Sequence, residues 1–260
     1  MKVKANGITF NCQLDGAEGA PWLVFSNSLA TNLSMWDEQA SALKGQFRIL
    51  RYDQRGHGGT DAPEGRYTFD TLVADVVALF DAFSISRAHF LGLSMGGMTA
   101  LGLAQRHPDR INRLIVCDCG PASTPQSAQQ WEERIALASE KGMDALVEQT
   151  VGRWFPAELI AANPPFLAKI RTMVRTTPVN GFIGCAGALS NFDFRPWLGA
   201  MALPVLLIVG SKDATVPGIK MINANIPGSK LVELDGAGHL SNIDASAGFT
   251  FAVHDFLSAG

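Results

Sequence analysis

Short apolar runs alternate with helical patterns along the first 120 residues. Residues 68–83, for example, place Leu72, Val76, Leu79 and Phe80 at helical spacing, and 33–44 and 95–106 show similar patterns. The Asn6-Gly7 pair between two alternating stretches predicts an opening hairpin. Continuously apolar strands separated by helices indicate a mostly parallel sheet with helices on its faces. The predicted strands of this region lie at 22–25, 47–52, 88–93 and 114–117.

The pattern changes after a Pro- and Ser-rich linker that begins at Pro121. Only helical spacing follows, which predicts a helical cap over residues 122–195 between two parts of a core domain, 1–121 and 196–260. The cap would be inserted after the sixth strand of an eight-stranded sheet. The cap helices are predicted from Trp131, Ile135 and Ala138, from Met143, Leu146, Val147 and Val151, and from Phe166, Ile170, Met173 and Val174. The predicted elements after the cap are strands at 205–209 and 230–234 and helices near 217–226 and at 245–258.

Composition narrows the class of protein. Apolar residues make up 47% of the chain and charged residues 17%, a balance typical of a globular domain. The net charge of −3, without any basic run, argues against a nucleic-acid or anionic-membrane partner. The N-terminus has no apolar stretch typical of a signal peptide, so we expect a cytoplasmic chain. The four cysteines form no CxxC pair and no metal-ligand spacing, and are expected to be reduced: Cys12, Cys117, Cys119 and Cys185.

The strongest chemical motif is Gly92-Leu93-Ser94-Met95-Gly96, between a predicted strand and a predicted helix. A serine at this tight turn is strained, and its hydroxyl is raised toward a pocket. A Gly-rich turn that only packs is the alternative, but the strand and helix on either side favour a catalytic Ser94. The motif lacks the spacing of a nucleotide-binding loop.

Serine needs a base, and the base needs an acid, expected in the order Ser, acid, His, each after a strand. Asp213 and His239 follow the last two predicted strands and are the predicted partners. Asp118, at the end of the preceding strand, is the main rival acid, and Asp235 a weaker one. The other histidines are placed less suitably: His57, His89, His107 and His254.

An acyl-transfer site also needs donors for the oxyanion that forms at the substrate carbonyl. We predict the backbone N–H of Met95 as one donor. The other is predicted from the loop after the third strand, where the N–H of Leu29 is suitably placed. Asn27 and Ser28 are expected to brace this loop through their side chains.

Four segments together resemble the 3-oxoadipate enol-lactonases of the α/β-hydrolase superfamily: 26–36, 51–58, 92–97 and 238–243. Asn27-Ser28, where many α/β hydrolases have His-Gly, is typical of that family. Ala30 departs from its frequent glycine. The ArgGlyHisGly segment at 55–58 is widespread in α/β hydrolases and resembles a structural loop, which argues against His57 as the base.

The resemblance implies an α/β-hydrolase fold and hydrolysis of an enol lactone that carries a carboxylate, without metal or organic cofactor. A cation or strong donor should then meet the carboxylate. Two cap pairs are candidates, Trp131 with Arg134 and Arg153 with Trp154, although a cap tryptophan can simply pack and a cap arginine can be solvated.

Other functions stay open at this point. A carboxylesterase, another lactonase, a C–C bond hydrolase or a cofactor-free perhydrolase would use the same triad with a different pocket. A ligand receptor on a hydrolase scaffold would keep the triad and turn over slowly. The oligomeric state cannot be inferred from the sequence.

Overall fold

A computed structural model describes residues 1–259, which contain one eight-stranded sheet in the order β1-β2-β4-β3-β5-β6-β7-β8. β1 and β2 pair antiparallel, β2 pairs antiparallel with β4, and all other neighbours are parallel. The predicted hairpin and mostly parallel sheet are therefore confirmed. The strands are β1 (Lys2–Ala5), β2 (Ile8–Asp15), β3 (Trp22–Ser26), β4 (Arg48–Tyr52), β5 (Ala88–Leu93), β6 (Ile111–Cys117), β7 (Val205–Gly210) and β8 (Lys230–Leu234).

The central strands are buried on both faces, which explains why they are apolar throughout. Every residue of β7 is buried, and so are the last four residues of both β5 and β6. Because these strands are parallel, their carboxyl ends meet at one edge of the sheet. The loops that follow β3, β5, β6, β7 and β8 therefore converge there.

Twelve α-helices accompany the sheet within the described residues. The helix predicted over 33–44 is instead a 3₁₀ turn (Leu33–Trp36), capped by the Asn32 side chain, followed by α1. The helices are α1 (Asp37–Leu43), α2 (Phe69–Ala82), α3 (Met95–Arg106), α4 (Pro125–Lys141), α5 (Val147–Trp154), α6 (Ala157–Ala162), α7 (Phe166–Thr176), α8 (Val179–Ser190), α9 (Arg195–Leu198), α10 (Val216–Asn225), α11 (Ser241–Asp244) and α12 (Ser246–Ser258).

The chain between β6 and β7 forms α4 to α9 and no strand beyond a single bridge between Ala122 and Asp193. This agrees with a helical insertion after the sixth strand. The domain boundaries at 121 and 195 stay a prediction. Helix α8, which the periodicity did not predict, is buried along most of its length and packs against α4. No helix in residues 1–259 is long and apolar enough to cross a membrane.

Candidate active site

Ser94 occupies the turn between β5 and α3 in a strained backbone conformation, with φ 56° and ψ −116°. This left-handed region costs a non-glycine residue about 1–3 kcal/mol. The turn is tight because a side chain on Gly92 would overlap the Gly96 backbone, and one on Gly96 would overlap Ser26. The Ser94 N–H donates to the Cys117 carbonyl at 2.8 Å, which ties the turn to β6. The hydroxyl is thereby fixed at the carboxyl edge of the sheet.

Ser94, His239 and Asp213 form one continuous hydrogen-bonded chain. His239 Nε2 lies 2.9 Å from Ser94 Oγ, and His239 Nδ1 lies 2.9 Å from Asp213 Oδ2. Because a carboxylate can only accept, the ring hydrogen belongs on Nδ1, which leaves Nε2 to accept the serine proton. The arrangement has the geometry of a nucleophile, a base and an orienting acid.

Asp213 is held as an anion by its neighbours. It accepts hydrogen bonds from the N–H (3.2 Å) and the hydroxyl of Thr215. Burial by itself raises the pKa of Asp213, but His239 and Thr215 outweigh burial, and the pKa lies below its ordinary value. Asp235, the weaker rival, is an exposed loop carboxylate near Ser211 and does not contact His239.

Asp118 is fully buried behind the triad and connects the loops that carry it. Its carboxylate accepts from the Gly210 N–H at 2.9 Å and from the Ser241 hydroxyl. Burial and the nearby charge of Asp213 raise the pKa of Asp118 well above its ordinary value. Asp118 therefore contacts the segments around Asp213 and His239, whereas the carboxylate that accepts the hydrogen bond from His239 is that of Asp213.

The other four histidines lie away from the cavity around Ser94. His57 is fully buried and bonds to Ala30, and His89 packs against Phe47. His107 ends α3, and His254 pairs with Gln46.

Leu29 lines the same cavity as Ser94, and Met95 follows Ser94 directly in the chain, so the role of their backbone N–H groups as oxyanion donors stays a prediction. Within residues 1–259, neither donates a hydrogen bond to another residue. Asn27 braces the loop as expected, donating to the Tyr52 carbonyl and accepting from the Trp36 indole N–H. The expected brace from the Ser28 side chain is wrong: its hydroxyl is buried without a partner in the described chain, and the Thr31 hydroxyl bonds to the Ser28 carbonyl instead.

The cap holds His239 directly, a contact that the sequence did not reveal. The backbone N–H of His239 donates to the backbone carbonyl of Trp154 at 2.7 Å, and the side-chain rings of the two residues stack with centroids 6.3 Å apart. On the other side, Asp244 accepts the N–H of Gly238 at 2.7 Å. The base is therefore fixed between the end of α5 and the turn of α11.

Asp244 gives a first testable prediction, about stability. Burial raises the pKa of Asp244 to about 6, and its Oδ1 is buried without a partner in the described residues. The Asp244 carboxyl of the unfolded chain titrates near pH 4. Between about pH 4 and 6 the folded protein therefore keeps a proton on Asp244 that the unfolded chain has released. The free energy of unfolding therefore falls as the pH rises through that window.

Asp244→Asn should remove this dependence and keep an acceptor for Gly238. We expect the variant to gain stability relative to the parent as the pH rises from about 4 to 7, by at most about 3 kcal/mol. Urea unfolding at several pH values measures the difference, with Asp235→Asn as an exposed control. A difference that does not change with pH would contradict the prediction.

A cavity of about 650 Å³ opens above Ser94 and is lined by residues from both the core and the cap. Trp131, Arg134, Arg153 and Trp154 all contribute to its wall. The two predicted pairs differ, however. Arg134 is buried with 7% of its surface exposed, whereas Arg153 is exposed, and Trp154 contacts His239 as well as the cavity.

Arg134 is a buried cation without a counter-ion among residues 1–259. Its guanidinium lies 4.7 Å from the Trp131 ring centroid and 5.5 Å from that of Phe182, and it donates to Thr150 at 2.9 Å. Its Nε has no partner within the described chain. Burial, together with the charge of Arg153, lowers the pKa of Arg134 to about 9. A cation in this position favours an anionic group in the cavity.

Within residues 1–259, no three His, Cys, Asp or Glu side chains lie in a group that could hold a metal ion. The four cysteines are free and buried. Burial raises the pKa of the Cys117, Cys119 and Cys185 thiols, which disfavours their reactive thiolate forms.

Comparison with known proteins agrees with the fold. A family model described as the α/β hydrolase fold matches residues 21–246. A 3-oxoadipate enol-lactonase of Acinetobacter baylyi is 36% identical over 96% of this chain and 93% of its own. A provisionally named carbamate hydrolase of Stutzerimonas stutzeri is 30% identical over 92% of each chain.

The crystal structure of the enol-lactonase from Burkholderia xenovorans LB400 is also similar. It superposes with a TM-score of 0.95 at 40% identity and covers 99% of this chain and all of its own. The chain therefore belongs to the α/β-hydrolase fold family and, within it, is similar to the 3-oxoadipate enol-lactonases.

Proposed function

We propose that this protein hydrolyses 3-oxoadipate enol-lactone to 3-oxoadipate through an acyl-enzyme on Ser94. The observation that carries the proposal is that one cavity is lined both by the Ser94–His239–Asp213 chain and by buried Arg134, which has no counter-ion within residues 1–259. The first feature supports ester chemistry, and the second supports a substrate that carries its own negative charge. The names of the similar proteins point to the same substrate.

Ring opening would begin with attack of Ser94 Oγ on the lactone carbonyl carbon. His239 Nε2 takes the serine proton, and Asp213 stabilises the imidazolium that forms. The N–H groups of Leu29 and Met95 hold the negative oxygen of the tetrahedral intermediate. Collapse breaks the ring C–O bond, and His239 returns its proton to the departing enolate oxygen.

The product of that step is an ester of Ser94 whose other end is an enol, which tautomerises to a ketone. The leaving group thus stays attached to the acyl chain. His239 then removes a proton from water, which attacks the acyl carbonyl. As the bond from the acyl carbon to Ser94 Oγ breaks, His239 returns this proton to Oγ and restores the free hydroxyl. Apart from the tautomerisation, every proton transfer in this sequence passes through His239, and the sequence invokes no metal or cofactor.

The substrate carboxylate would bind to Arg134. A charged hydrogen bond to a buried guanidinium is stronger than a neutral one, and loss of either partner leaves a buried charge unpaired. The Trp131 ring covers one face of the guanidinium, which keeps it directed into the cavity. Arg153, exposed at the cavity wall, is better suited to attract the anion than to fix it.

The proposal is tested by comparing purified protein on 3-oxoadipate enol-lactone and on p-nitrophenyl acetate. We expect kcat/KM for the lactone to exceed that for the neutral ester by about 100-fold or more, since only the lactone can pair with Arg134. Faster turnover of the neutral ester would instead favour a general carboxylesterase. Negligible turnover of both, with tight lactone binding, would favour the receptor alternative.

Arg134→Met supplies a second prediction. The side chain keeps its length and loses its charge, so kcat/KM for the lactone should fall about 100-fold, mainly through KM. Turnover of p-nitrophenyl acetate should change by less than about threefold, because that ester has no carboxylate to bind. Steady-state kinetics on both substrates measures the effect.

Arg153→Met is the matched control on the neighbouring helix. Since Arg153 is exposed and screened, its loss should lower kcat/KM for the lactone by only about threefold. A larger loss of kcat/KM in Arg153→Met than in Arg134→Met would assign carboxylate binding to Arg153 and Trp154 instead.

A further inference from the structure

His57 is a buried imidazole whose two nitrogens both have fixed partners. Nδ1 lies 3.0 Å from the Arg55 carbonyl, and Nε2 lies 2.9 Å from the backbone nitrogen of Ala30. A carbonyl can only accept and an amide N–H can only donate, so Nδ1 carries the hydrogen and Nε2 accepts. Burial lowers the pKa of His57, which favours this neutral form.

The residue that His57 holds stands directly after the predicted oxyanion donor Leu29. Ala30 has φ 58°, a left-handed conformation that an alanine rarely adopts. Such a conformation persists only where the surroundings enforce it. The hydrogen bond from the Ala30 N–H to His57 is one enforcing contact, and it crosses from the β4–α2 loop to the loop after β3.

A second contact fixes the peptide that carries the Leu29 N–H itself. The Thr31 hydroxyl donates to the Ser28 carbonyl at 2.8 Å. In a trans peptide the carbonyl of one residue and the N–H of the next point in opposite directions. The Thr31 bond therefore lies on one side of this peptide and the Leu29 N–H on the other, beside the cavity.

We propose that His57 is a positioning residue for the oxyanion loop: through Ala30 it holds the Leu29 N–H in place for the transition state. The inference rests on the proposed function, because the position of this N–H affects turnover only if it binds the oxyanion. His57 does not contact the cavity and so acts through the loop, not on the substrate.

Two conservative variants separate the two bonds of the ring. In His57→Asn the amide nitrogen replaces Nδ1 and still donates to Arg55, but the Ala30 N–H loses its acceptor. In His57→Gln the amide oxygen reaches the place of Nε2 and still accepts from Ala30. The Arg55 carbonyl keeps a donor in His57→Gln, because the Cys185 thiol also contacts it at 3.4 Å.

We expect kcat for p-nitrophenyl acetate to fall about tenfold or more in His57→Asn, with KM changed by less than about threefold. His57→Gln should retain kcat within about threefold of the parent. Amide hydrogen exchange at Ala30 should be slow in the parent and in His57→Gln, and at least about tenfold faster in His57→Asn. Equal kcat in the two variants, or a loss confined to KM, would overturn the proposal.

The parent protein provides a readout that needs neither a variant nor activity. Ring ¹⁵N spectra should show His57 with its hydrogen on Nδ1 and a coupling from the Ala30 N–H across the hydrogen bond to Nε2. The opposite tautomer, or no coupling, would overturn the proposal even if His57→Asn does not fold. A parent that hydrolyses neither the lactone nor the ester would reject the proposed function, while the spectra and the Ala30 exchange still report whether His57 holds the loop.

Discussion

Ser94→Ala is expected to lower kcat for the enol lactone by about a million-fold, the size of effect known for loss of a serine nucleophile. The oxygen that attacks the carbonyl is removed, and His239 has no hydroxyl proton to accept. The cavity, Arg134 and the two N–H donors are unchanged, so the lactone should still bind. Steady-state rates and lactone affinity by calorimetry measure the two parts of this prediction.

The matched control for Ser94→Ala is Ser123→Ala. Ser123 also lines the cavity, but its hydroxyl contacts the Phe192 carbonyl rather than His239. We expect Ser123→Ala to retain kcat within about threefold, and Ser94→Ala to unfold within about 1 kcal/mol of the parent. More than about 1% of parent activity in a clean Ser94→Ala preparation would refute the nucleophile.

Asp213→Asn is expected to have the second largest effect, a loss of about 10⁴ in kcat at neutral pH. The asparagine can turn its NH₂ group toward His239 Nδ1, which then accepts and forces the ring hydrogen onto Nε2. A protonated Nε2 cannot accept the Ser94 proton. Binding of the lactone, which does not depend on the tautomer, should change little.

Asp118→Asn distinguishes the two buried carboxylates near His239. Burial and the nearby Asp213 disfavour a charge on Asp118, so we expect a neutral amide of the same shape to be tolerated there. The amide oxygen can accept from Gly210 and the NH₂ group can donate to Ser241, so kcat should change by less than about threefold. A large loss in Asp118→Asn together with a small one in Asp213→Asn would assign the acid role to Asp118.

The order of the site residues could be predicted because the central strands are buried on both faces. Burial makes β5, β7 and the end of β6 continuously apolar, so their carboxyl ends can be located in the sequence. Ser94 and Asp213 each follow such an end, and His239 follows β8 at the same edge of the sheet. Parallel strands then bring residues far apart in sequence to one place.

The cap was harder to predict because some of its helices bury one face, whereas α8 is buried on most sides. Helix α8 (Val179–Ser190) is covered on most sides and is rich in small residues, so it shows no amphipathic period. Its glycines allow close approach, and a side chain on Gly184 would overlap the Tyr67 ring. Periodicity identifies a helix with one apolar face, and α8 lacks that signal.

The difference in burial between the two cap arginines could be found only from the structure. Arg134 and Arg153 each lie near a tryptophan in the sequence, and spacing alone treats the two pairs alike. Only the fold buries Arg134 between Trp131 and Phe182 and leaves Arg153 exposed. Likewise, only the fold brings Trp154 onto His239, since that contact joins residues from the cap and the last loop.

The most direct test of the central claim compares 3-oxoadipate enol-lactone with its methyl ester, in which the carboxylate is neutral and the lactone ring is intact. If a triad opens the ring while buried Arg134 binds the carboxylate, kcat/KM for the free acid should exceed that for the methyl ester by about 100-fold or more. In Arg134→Met this preference should fall to less than about threefold. Equal kcat/KM values for the two lactones in the parent protein would contradict the account.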